Sequence, residues 1–351
     1  MPTVDVVTTI SAVAPEEWNA LCHDRAFLQY RWLRLAELVL AGHQPRYLLV
    51  RRRGTLVAAA VGSLERRLQN PMLEARLGWL VRRSPFLLVA APMTATSGLV
   101  VGDGVEQQAQ RGALLDAVRD FVQQERSPFC IIDHLPERDP AIPVPRGYCR
   151  LKWLPDTRLD LSWASFEDYL ADLPRKKRQE IRRIQRRAEH EGIVVKPLAP
   201  TADLSPTLDR LVAEVVRHHG GTRHYAPELF VTAAEALGDD LTVLGAHRHG
   251  RLAGCVALLR SGEEAVVRWI GRDYEHTTGT SIYHALVTAC VRHAIVTGVR
   301  RLHFGGAAYA TKQQFGVSLE PRTRLFAARS AAVTWLMGRL SHRFDPPALP
   351  S

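Results

Sequence analysis

Two adjacent glycines, a tyrosine and a lysine lie close together in the segment FGGAAYATKQQFG (304–316). Gly305 and Gly306 follow an apolar run and allow the backbone to approach a ligand closely or to adopt a positive φ. Tyr309 and Lys312 are three residues apart, so a short helix would place both on one face. Tyrosine can protonate a leaving group, and lysine can hold a negative charge. The alternative is a strand-to-helix turn in which the tyrosine only packs.

A second polar cluster, HHGGTRHY (218–225), lies between two predicted helices. Histidine titrates near neutral pH, so His219, or Glu214 on the preceding helix, could deprotonate an amine. Arg223 and Tyr225 belong to the same segment. No H-E-x-x-H pattern or cysteine partner accompanies these histidines, so we predict no metal site. An ordinary polar loop between helices is the alternative.

The most highly charged part of the chain is RKKRQEIRRIQRR (175–187), in which Glu180 is the one acid. Ile181, Ile184 and Ala188 recur at helical spacing, which predicts an amphipathic helix. A solvated helix face that docks its apolar stripe on the core explains the charge run. An electrostatic platform for a phosphate-bearing donor or RNA explains it too. No aromatic residue interleaves the basic cluster, which weakens the RNA interpretation.

The elements that must position these residues repeat along the chain. Each half contains a hairpin-type sheet, then one long helix, then one short apolar strand, which predicts an α+β class with two similar units. The long helices fall at 107–125 and 281–299, and the short strands at 129–135 and 300–306. The predicted organisation is an N-terminal domain over 1–160, a basic connecting helix over 161–192 and a C-terminal domain over 193–351.

Composition limits the function classes. In 351 residues, 46% are hydrophobic and 23% charged, which excludes a largely disordered chain. The net charge of +10 favours anionic partners. The five cysteines form no C-x-x-C pair, and no signal peptide or membrane-spanning run is visible, so we expect a cytoplasmic protein without integral membrane contact. No G-x-S-x-G elbow, Walker loop or G-x-G-x-x-G fingerprint supports a hydrolase, an NTPase or a Rossmann enzyme.

Over roughly residues 15–330 the chain resembles the Fem-like and BioF2-like branch of the GNAT acyltransferases. The resemblance rests on the basic segment RKKRQEIRRIQRRAEHEG, the late helix, HFGGAAYATKQQFG and the N-terminal FLQYRWLRLAE. It implies two tandem GNAT-like domains, each a mixed, mostly antiparallel sheet flanked by helices. It also implies acyl transfer to an amine by direct attack, with acyl-CoA or aminoacyl-tRNA as donor. The resemblance places the active site in the cleft of the second domain or between the two domains.

The resemblance also assigns roles to residues. The acyl-CoA enzymes of this superfamily carry a Q/R-x-x-G-x-G/A loop for pyrophosphate, and the matching place here is HTTGTS (276–281), where the central Gly279 alone fits and Ser281 is a small substitute. A helix N-terminus still favours phosphate there, with Arg272 as a charge partner. The expected cofactor-binding residues are Arg272, Gly279, Ser281, Gly305 and Gly306. The expected catalytic residues are Tyr309, Lys312 and Glu214, and the acceptor side is expected to be lined by Arg223, Tyr225 and His219.

Three functions stay open at this point. The leading expectation is an acyltransferase that moves an acyl group from acyl-CoA, acetyl or longer, to an amine of a small molecule or cell-envelope precursor. The second is a Fem-type enzyme that takes its acyl group from aminoacyl-tRNA, which the basic helix 175–187 would serve. The third is a non-catalytic nucleic-acid-binding protein on a GNAT-like fold. The sequence does not specify the oligomeric state.

Overall fold

The computed structural model describes residues 2–23, 25–68, 71–137, 144–221, 225–306 and 308–346. The chain forms two compact units. The first contains residues up to 37, 42–155 and 321–348, and the second contains 38–41 and 156–320. The chain enters the second unit within β7 (Cys149–Asp160) and returns to the first within β13 (Ser318–Ala328).

The first unit is a sheet with helices. Its strands are β1 (Thr3–Val7), β2 (Pro45–Arg52), β3 (Thr55–Glu65), β4 (Phe86–Val89), β5 (Leu99–Val101), β6 (Phe129–Pro136) and part of β13. Its helices are α1 (Pro15–Cys22), α2 (Tyr30–Val39), α3 (Pro71–Arg83), α4 (Gln107–Gln124) and α12 (Ala331–Arg339). The strand order is β1-β2-β3-β4-β6-β13, and β5 pairs with β3. Neighbouring strands are antiparallel except for β4 and β6, which are parallel and are connected through α4.

The second unit repeats this arrangement. Its further strands are β8 (Ile193–Leu198), β9 (Leu241–Arg248), β10 (Arg251–Ser261), β11 (Glu264–Arg272) and β12 (Arg301–His303). Its helices are α5 (Phe166–Asp172), α6 (Arg175–His190), α7 (Ser205–His218), α8 (Leu229–Leu237), α9 (Tyr274–Thr277), α10 (Ile282–Val296) and α11 (Tyr309–Gln314). The order is β7-β12-β11-β10-β9-β8, antiparallel except for β11 and β12, which are connected through α10.

The repeat confirms the predicted α+β class with two similar units of mixed, mostly antiparallel sheet. Each unit forms its own core because one long helix, α4 or α10, buries an apolar face on the sheet of that unit. Leu114, Val118 and Phe121 of α4 contribute to the core of the first unit. Leu286, Cys290 and Ala294 of α10 contribute to the core of the second.

The segment predicted as one basic helix is interrupted. Two helices, α5 and α6, flank Leu173-Pro174, because proline lacks an N–H donor and disfavours helical geometry in the residue before it. Helix α5 begins after Ser165, whose hydroxyl accepts the Asp168 N–H at 3.1 Å and caps the helix. The predicted apolar stripe of α6 is correct, with Ile181, Ile184 and Ala188 buried. Among the described residues, no helix is long and apolar enough to cross a bilayer.

Candidate active site

The strands β11 and β12 part in the middle of the second unit. They pair over three residues, Glu264–Val266 with Arg301–His303. Beyond this pairing, β11 continues to Arg272, whereas the chain after β12 turns into α11. The register between β10 and β11 shifts at Cys255/Ala257, and Trp269 adopts φ 49°. A bulge of this kind bends a strand and redirects its side chains, and such bulges are frequent beside active sites.

Lys312 lies inside the turn that follows β12. Its side chain is buried, with 4% of the residue exposed, and Nζ donates to the carbonyl oxygens of Phe304 at 2.7 Å and Gly305 at 2.9 Å. Burial lowers the pKa of Lys312 to about 8; the Asp156 carboxylate opposes this shift and the Arg268 guanidinium adds to it. An ammonium group has three protons, so one remains for a further acceptor.

The turn itself has the geometry that its glycine suggested. Gly305 adopts φ 76°, a region that favours glycine, and its carbonyl oxygen also accepts the Thr157 hydroxyl at 2.6 Å. Tyr309 and Lys312 both lie in α11, as their spacing predicted. Burial raises the pKa of Tyr309 to about 12, and the nearby Asp156 carboxylate contributes to the rise. Tyr309 is therefore protonated at neutral pH.

A row of charged side chains leads to this turn across one face of the sheet. His303 lies between two carboxylates, with Nδ1 3.2 Å from Asp156 Oδ2 and Nε2 2.7 Å from Glu264 Oε2. Burial opposes the charge on His303, but hydrogen bonds to both carboxylates outweigh it and raise the pKa to about 9. Arg301 pairs with Glu264 at 2.7 Å. Asp156, only 2% exposed, thus connects the row to Tyr309 and Lys312.

Two side chains of β11 in this region hold buried donors without a partner. The Nε of Arg268 and the indole Nε1 of Trp269 form no hydrogen bond with any residue that the structure describes. Trp269 packs edge-on against Tyr225 at 6.1 Å and against Phe230 at 5.6 Å between ring centroids. Buried polar groups are normally hydrogen-bonded, so these donors mark a place where a ligand or water completes the structure. Tyr225, which was expected on the acceptor side, therefore lies against Trp269 beside these donors.

The loop that was expected to bind donor phosphate already has internal partners. The Ser281 N–H at the start of α10 donates to the Glu191 carboxylate at 2.7 Å. Arg187 pairs with Glu191 at 2.8 Å and donates to the Gly279 carbonyl at 2.6 Å. Arg272 is bound to the hydroxyl and carbonyl oxygens of Thr277. A carboxylate therefore occupies the position predicted for pyrophosphate, and the Arg272 guanidinium is turned inward to its own loop.

Further arginines surround the same loop. Arg248 donates to the His276 carbonyl at 2.7 Å, and Arg251 contacts Asp273 at 3.2 Å. The Asp273 carboxylate accepts the His276 N–H at 3.2 Å and thereby caps α9. Arg187 and Arg251 are paired with Glu191 and Asp273, whereas Arg248 and Arg272 contact neutral oxygens, so the border of the loop carries a net positive charge. Such a border attracts anions.

Glu214, one of the predicted catalytic residues, lines a cavity in the second unit. A cavity of about 340 Å³ is lined by Glu214, Arg217, His218, Tyr274 and Glu275. The His218 and Tyr274 rings stack at 3.8 Å, and the Tyr274 hydroxyl lies 3.1 Å from Nε2 of His219. Glu214 also forms an ion pair with Arg210 on α7.

The structure thus separates the predicted site residues into three groups. Gly305, Tyr309 and Lys312 share one turn, with Gly306 exposed beside them. Gly279 and Ser281 belong to the α9–α10 loop, which Arg272 contacts from the end of β11. Glu214 lines the same cavity as Tyr274, and His219 contacts the Tyr274 hydroxyl. No described hydrogen bond or ion pair joins Glu214 to Tyr309 or Lys312. Arg223 lies outside the described residues.

Sequence reasoning missed Asp156, Arg268 and Trp269. Asp156 lies in a strand 153 residues before Tyr309 along the chain, so no local motif links the two. Alternation gives a partial signal, because Glu264 and Arg268 are four residues apart in one strand and therefore lie on the same face. No group of three or more His, Cys, Asp or Glu side chains within the described ranges could hold a metal ion.

The comparison with protein families decides the class of this unit. Residues 175–313 match the family model described as "Acetyltransferase (GNAT) domain". This part of the chain is similar to a GNAT acetyltransferase domain. The match contains the parted strands, the α9–α10 loop and the Tyr309–Lys312 turn, and it confirms the predicted enzyme class, an acyltransferase. No curated protein matches the chain.

Solved structures support the fold of the whole chain. FemX matches with a TM-score of 0.59 at 12% identity, over 95% of this chain and 100% of FemX. A tandem GNAT protein from the clavulanic acid biosynthesis pathway matches with 0.53 at 15%, over 93% and 99%. The C-terminal domain of a putative lysylphosphatidylglycerol synthetase from Agrobacterium fabrum matches with 0.56 at 13%, over 93% and 95%. The predicted resemblance to the tandem GNAT, Fem-like branch is confirmed as a likeness of fold.

Proposed function

We propose that this GNAT acyltransferase moves an acyl group from acyl-CoA to an amine of a small molecule or cell-envelope precursor. The observation that carries the proposal is the turn at Gly305, which holds a buried lysine and a protonated tyrosine at the point where β11 and β12 part. The loop with its arginine border supports an anionic donor. The cavity beside Glu214 and His218 supports a separate acceptor side.

In this proposal the amine nitrogen attacks the thioester carbonyl carbon directly. A C–N bond forms, the C–S bond breaks, and the leaving sulfur takes a proton from the Tyr309 hydroxyl, which is protonated at neutral pH because its pKa is raised to about 12. The remaining proton of the Lys312 ammonium stabilises the oxyanion that develops on the carbonyl oxygen. In the proposal Glu214, which lines the cavity on the acceptor side, takes the proton that the amine loses and releases it to solvent, and a proton from solvent restores the Tyr309 hydroxyl.

Release of CoA thiol in the presence of a panel of amines tests these roles. We expect Tyr309→Phe to lower kcat about 100-fold, the lower end of the usual effect of general-acid loss. Lys312→Met should lower kcat as well, because it removes the positive charge that stabilises the oxyanion. Lys196→Met is the matched control, since Lys196 is exposed on the edge strand β8. Unchanged kcat in both site variants, with Lys196→Met active, would contradict the assignment.

Aminoacyl-tRNA is the second candidate donor, and a specific observation favours it. Glu191 already occupies the Ser281 N–H, so the loop offers less to a pyrophosphate group. On α6, exposed Arg175, Lys176 and Arg186 form no ion pair with a described residue and could meet an RNA backbone. The two donors differ in which part of the chain they must touch.

Thermal unfolding with CoA and with tRNA separates the donors, because a ligand that binds the folded state raises Tm. Acyl-CoA as donor predicts stabilisation by CoA that Gly279→Glu abolishes. Aminoacyl-tRNA as donor predicts salt-sensitive stabilisation by tRNA that Lys176→Glu with Arg186→Glu weakens, and no response to CoA. The second result would replace the proposed donor while keeping the acyl-transfer site.

A further inference from the structure

Two helices of the first unit leave apolar side chains exposed in the same pattern. The sequence W-L-x-x-R occurs in α3, from Trp79 to Arg83, and again in α12, from Trp335 to Arg339. Each pair is spaced i, i+4, so the tryptophan and the arginine share one helical face. Trp79 is 62% exposed and Trp335 is 61% exposed. Exposed tryptophans are uncommon, so a repeat of this kind calls for a partner.

The outer face of α12 is apolar and exposed, because no other part of the described chain covers it. Val333, Trp335 and Leu336 are all about half exposed or more. The inner side packs normally, with Thr334 buried and Met337 against the cluster around Phe326. A helix that is apolar on all sides is normally covered on all sides. The outer face of α12 is therefore a docking surface.

The same arrangement recurs on α3. Leu77 and Trp79 are exposed, while Val81 is buried. Arg76 and Arg83 lie three residues before and four residues after Trp79, so they border its ring on one face. Both arginines are exposed, and neither forms an ion pair with a residue in the described part of the chain.

Helix α12 and the residue that begins the strand after α3 pack on the same side of the sheet in the first unit. The chain leaves α3 and enters β4 at Phe86, whose ring stacks on Phe129 at 4.7 Å. Phe129 lies 5.3 Å from Phe326 between ring centroids, and Met337 of α12 packs in the same cluster. Helix α4 covers the opposite face. Helix α12 therefore lies on the side of this sheet opposite α4, and Phe86, the first residue of the strand that follows α3, packs on that side.

Positive charge accompanies the apolar face of α12. The segment 329–343 contains Arg329, Arg339 and Arg343 and no acidic residue. These three side chains form no ion pair with a described residue, and the Arg339 guanidinium lies 4.8 Å from the centre of the Trp335 ring. Tryptophan beside arginine suits a water–lipid boundary, where the ring lies among headgroups and the cation meets lipid phosphate.

We infer that the outer faces of α3 and α12 bind the surface of an anionic phospholipid bilayer. Aliphatic Leu77, Val333 and Leu336 beside the tryptophans favour acyl chains over nucleic acid, because stacking on bases uses aromatic rings and leaves aliphatic side chains exposed. Uncompensated arginines of one sign favour an anionic lipid surface over a second copy of this chain, which would bring the same arginines together. This inference is independent of the donor and of the acyl-transfer site.

Sedimentation with vesicles tests the inference on the full chain. We expect binding to vesicles of equal parts phosphatidylglycerol and phosphatidylcholine, at least tenfold tighter than binding to phosphatidylcholine alone. Trp335→Ser with Leu336→Ser should weaken that binding at least tenfold. Arg339→Glu with Arg343→Glu leaves the apolar face intact and should weaken binding to the anionic vesicles selectively. Val105→Ser is the matched control, because Val105 is fully exposed in a loop of the same unit.

Thermal unfolding of each variant establishes that it is folded, and light scattering and tRNA binding examine the other occupants. Equal binding to both vesicle types, or tight binding that survives both double substitutions, would overturn the inference. So would a dimer that Trp335→Ser dissociates without any vesicle binding. Binding of tRNA that is lost in Trp335→Ser, with no vesicle binding, would assign the surface to RNA instead.

Discussion

The charge on His303 makes the second unit more stable at low pH than at high pH. The ring lies between Asp156 and Glu264, and its pKa is raised from 6.5 to about 9. The folded protein therefore holds a proton that the unfolded chain releases above pH 6.5. The resulting stabilisation is complete below pH 6.5 and disappears as the pH rises through 9. A shift from 6.5 to about 9 corresponds to about 3 kcal/mol.

His303→Gln removes this contribution. The free energy of unfolding, measured by urea denaturation, should differ between the two proteins by about 3 kcal/mol more at pH 6 than at pH 9. Lys312, whose pKa is lowered to about 8, acts in the opposite direction above pH 8, but it is present in both proteins and largely cancels in the difference. His342→Gln, at an exposed position, is the control.

The titration can also be followed directly at the ring. An NMR titration of the labelled imidazole should place its pKa well above 6.5. A value below 6.5, or a difference between the two proteins that does not change with pH, would refute the proposed electrostatics of the charged row.

Two further predictions concern carboxylates that bind partners within the protein. Glu191→Ala frees the Ser281 N–H and removes a negative charge beside it, so calorimetry should show CoA binding at least threefold tighter than in wild type. Glu189→Ala, at an exposed position, is the control and should leave the affinity for CoA unchanged. Weaker CoA binding in Glu191→Ala would contradict a phosphate site at this loop. Asp133→Ala leaves the buried Arg324 guanidinium without its partner at 2.5 Å and should lower the free energy of unfolding by about 3 kcal/mol or more. A loss below about 1 kcal/mol would show that Arg324 is solvated in the unmutated protein.

Much of the fold could be predicted because periodicity reports burial. The hairpin-type sheet of the first half, formed by β2 and β3, and the helix predicted at 107–125 are both specified by local patterns, and the structure contains both. The joining of β13 to the first unit could not be predicted, since it pairs Leu325 with Ile132, nearly 200 residues earlier. Pairing over such a distance leaves no local pattern in the sequence.

The candidate site was predictable only where its residues are close in the chain. Gly305, Tyr309 and Lys312 lie within eight residues, so glycine chemistry and helical spacing were sufficient to find them. Asp156 and Arg268 meet them through the tertiary fold. At the α9–α10 loop the sequence predicted a helix N-terminus, which is correct. It did not predict that the chain's own Glu191 would bind there, because that carboxylate comes from a different helix.

The central claim is that this chain transfers an acyl group from acyl-CoA to an amine at the Tyr309–Lys312 turn. The most direct test is a single-turnover reaction with acetyl-CoA labelled in its acetyl group and a mixture of amines, followed by mass spectrometry. Labelled N-acetyl product should form in an amount equal to the released CoA, and Tyr309→Phe should strongly reduce the amounts of both. Equal product formation in wild type and Tyr309→Phe, or no transfer from acetyl-CoA alongside transfer from aminoacyl-tRNA, would contradict it.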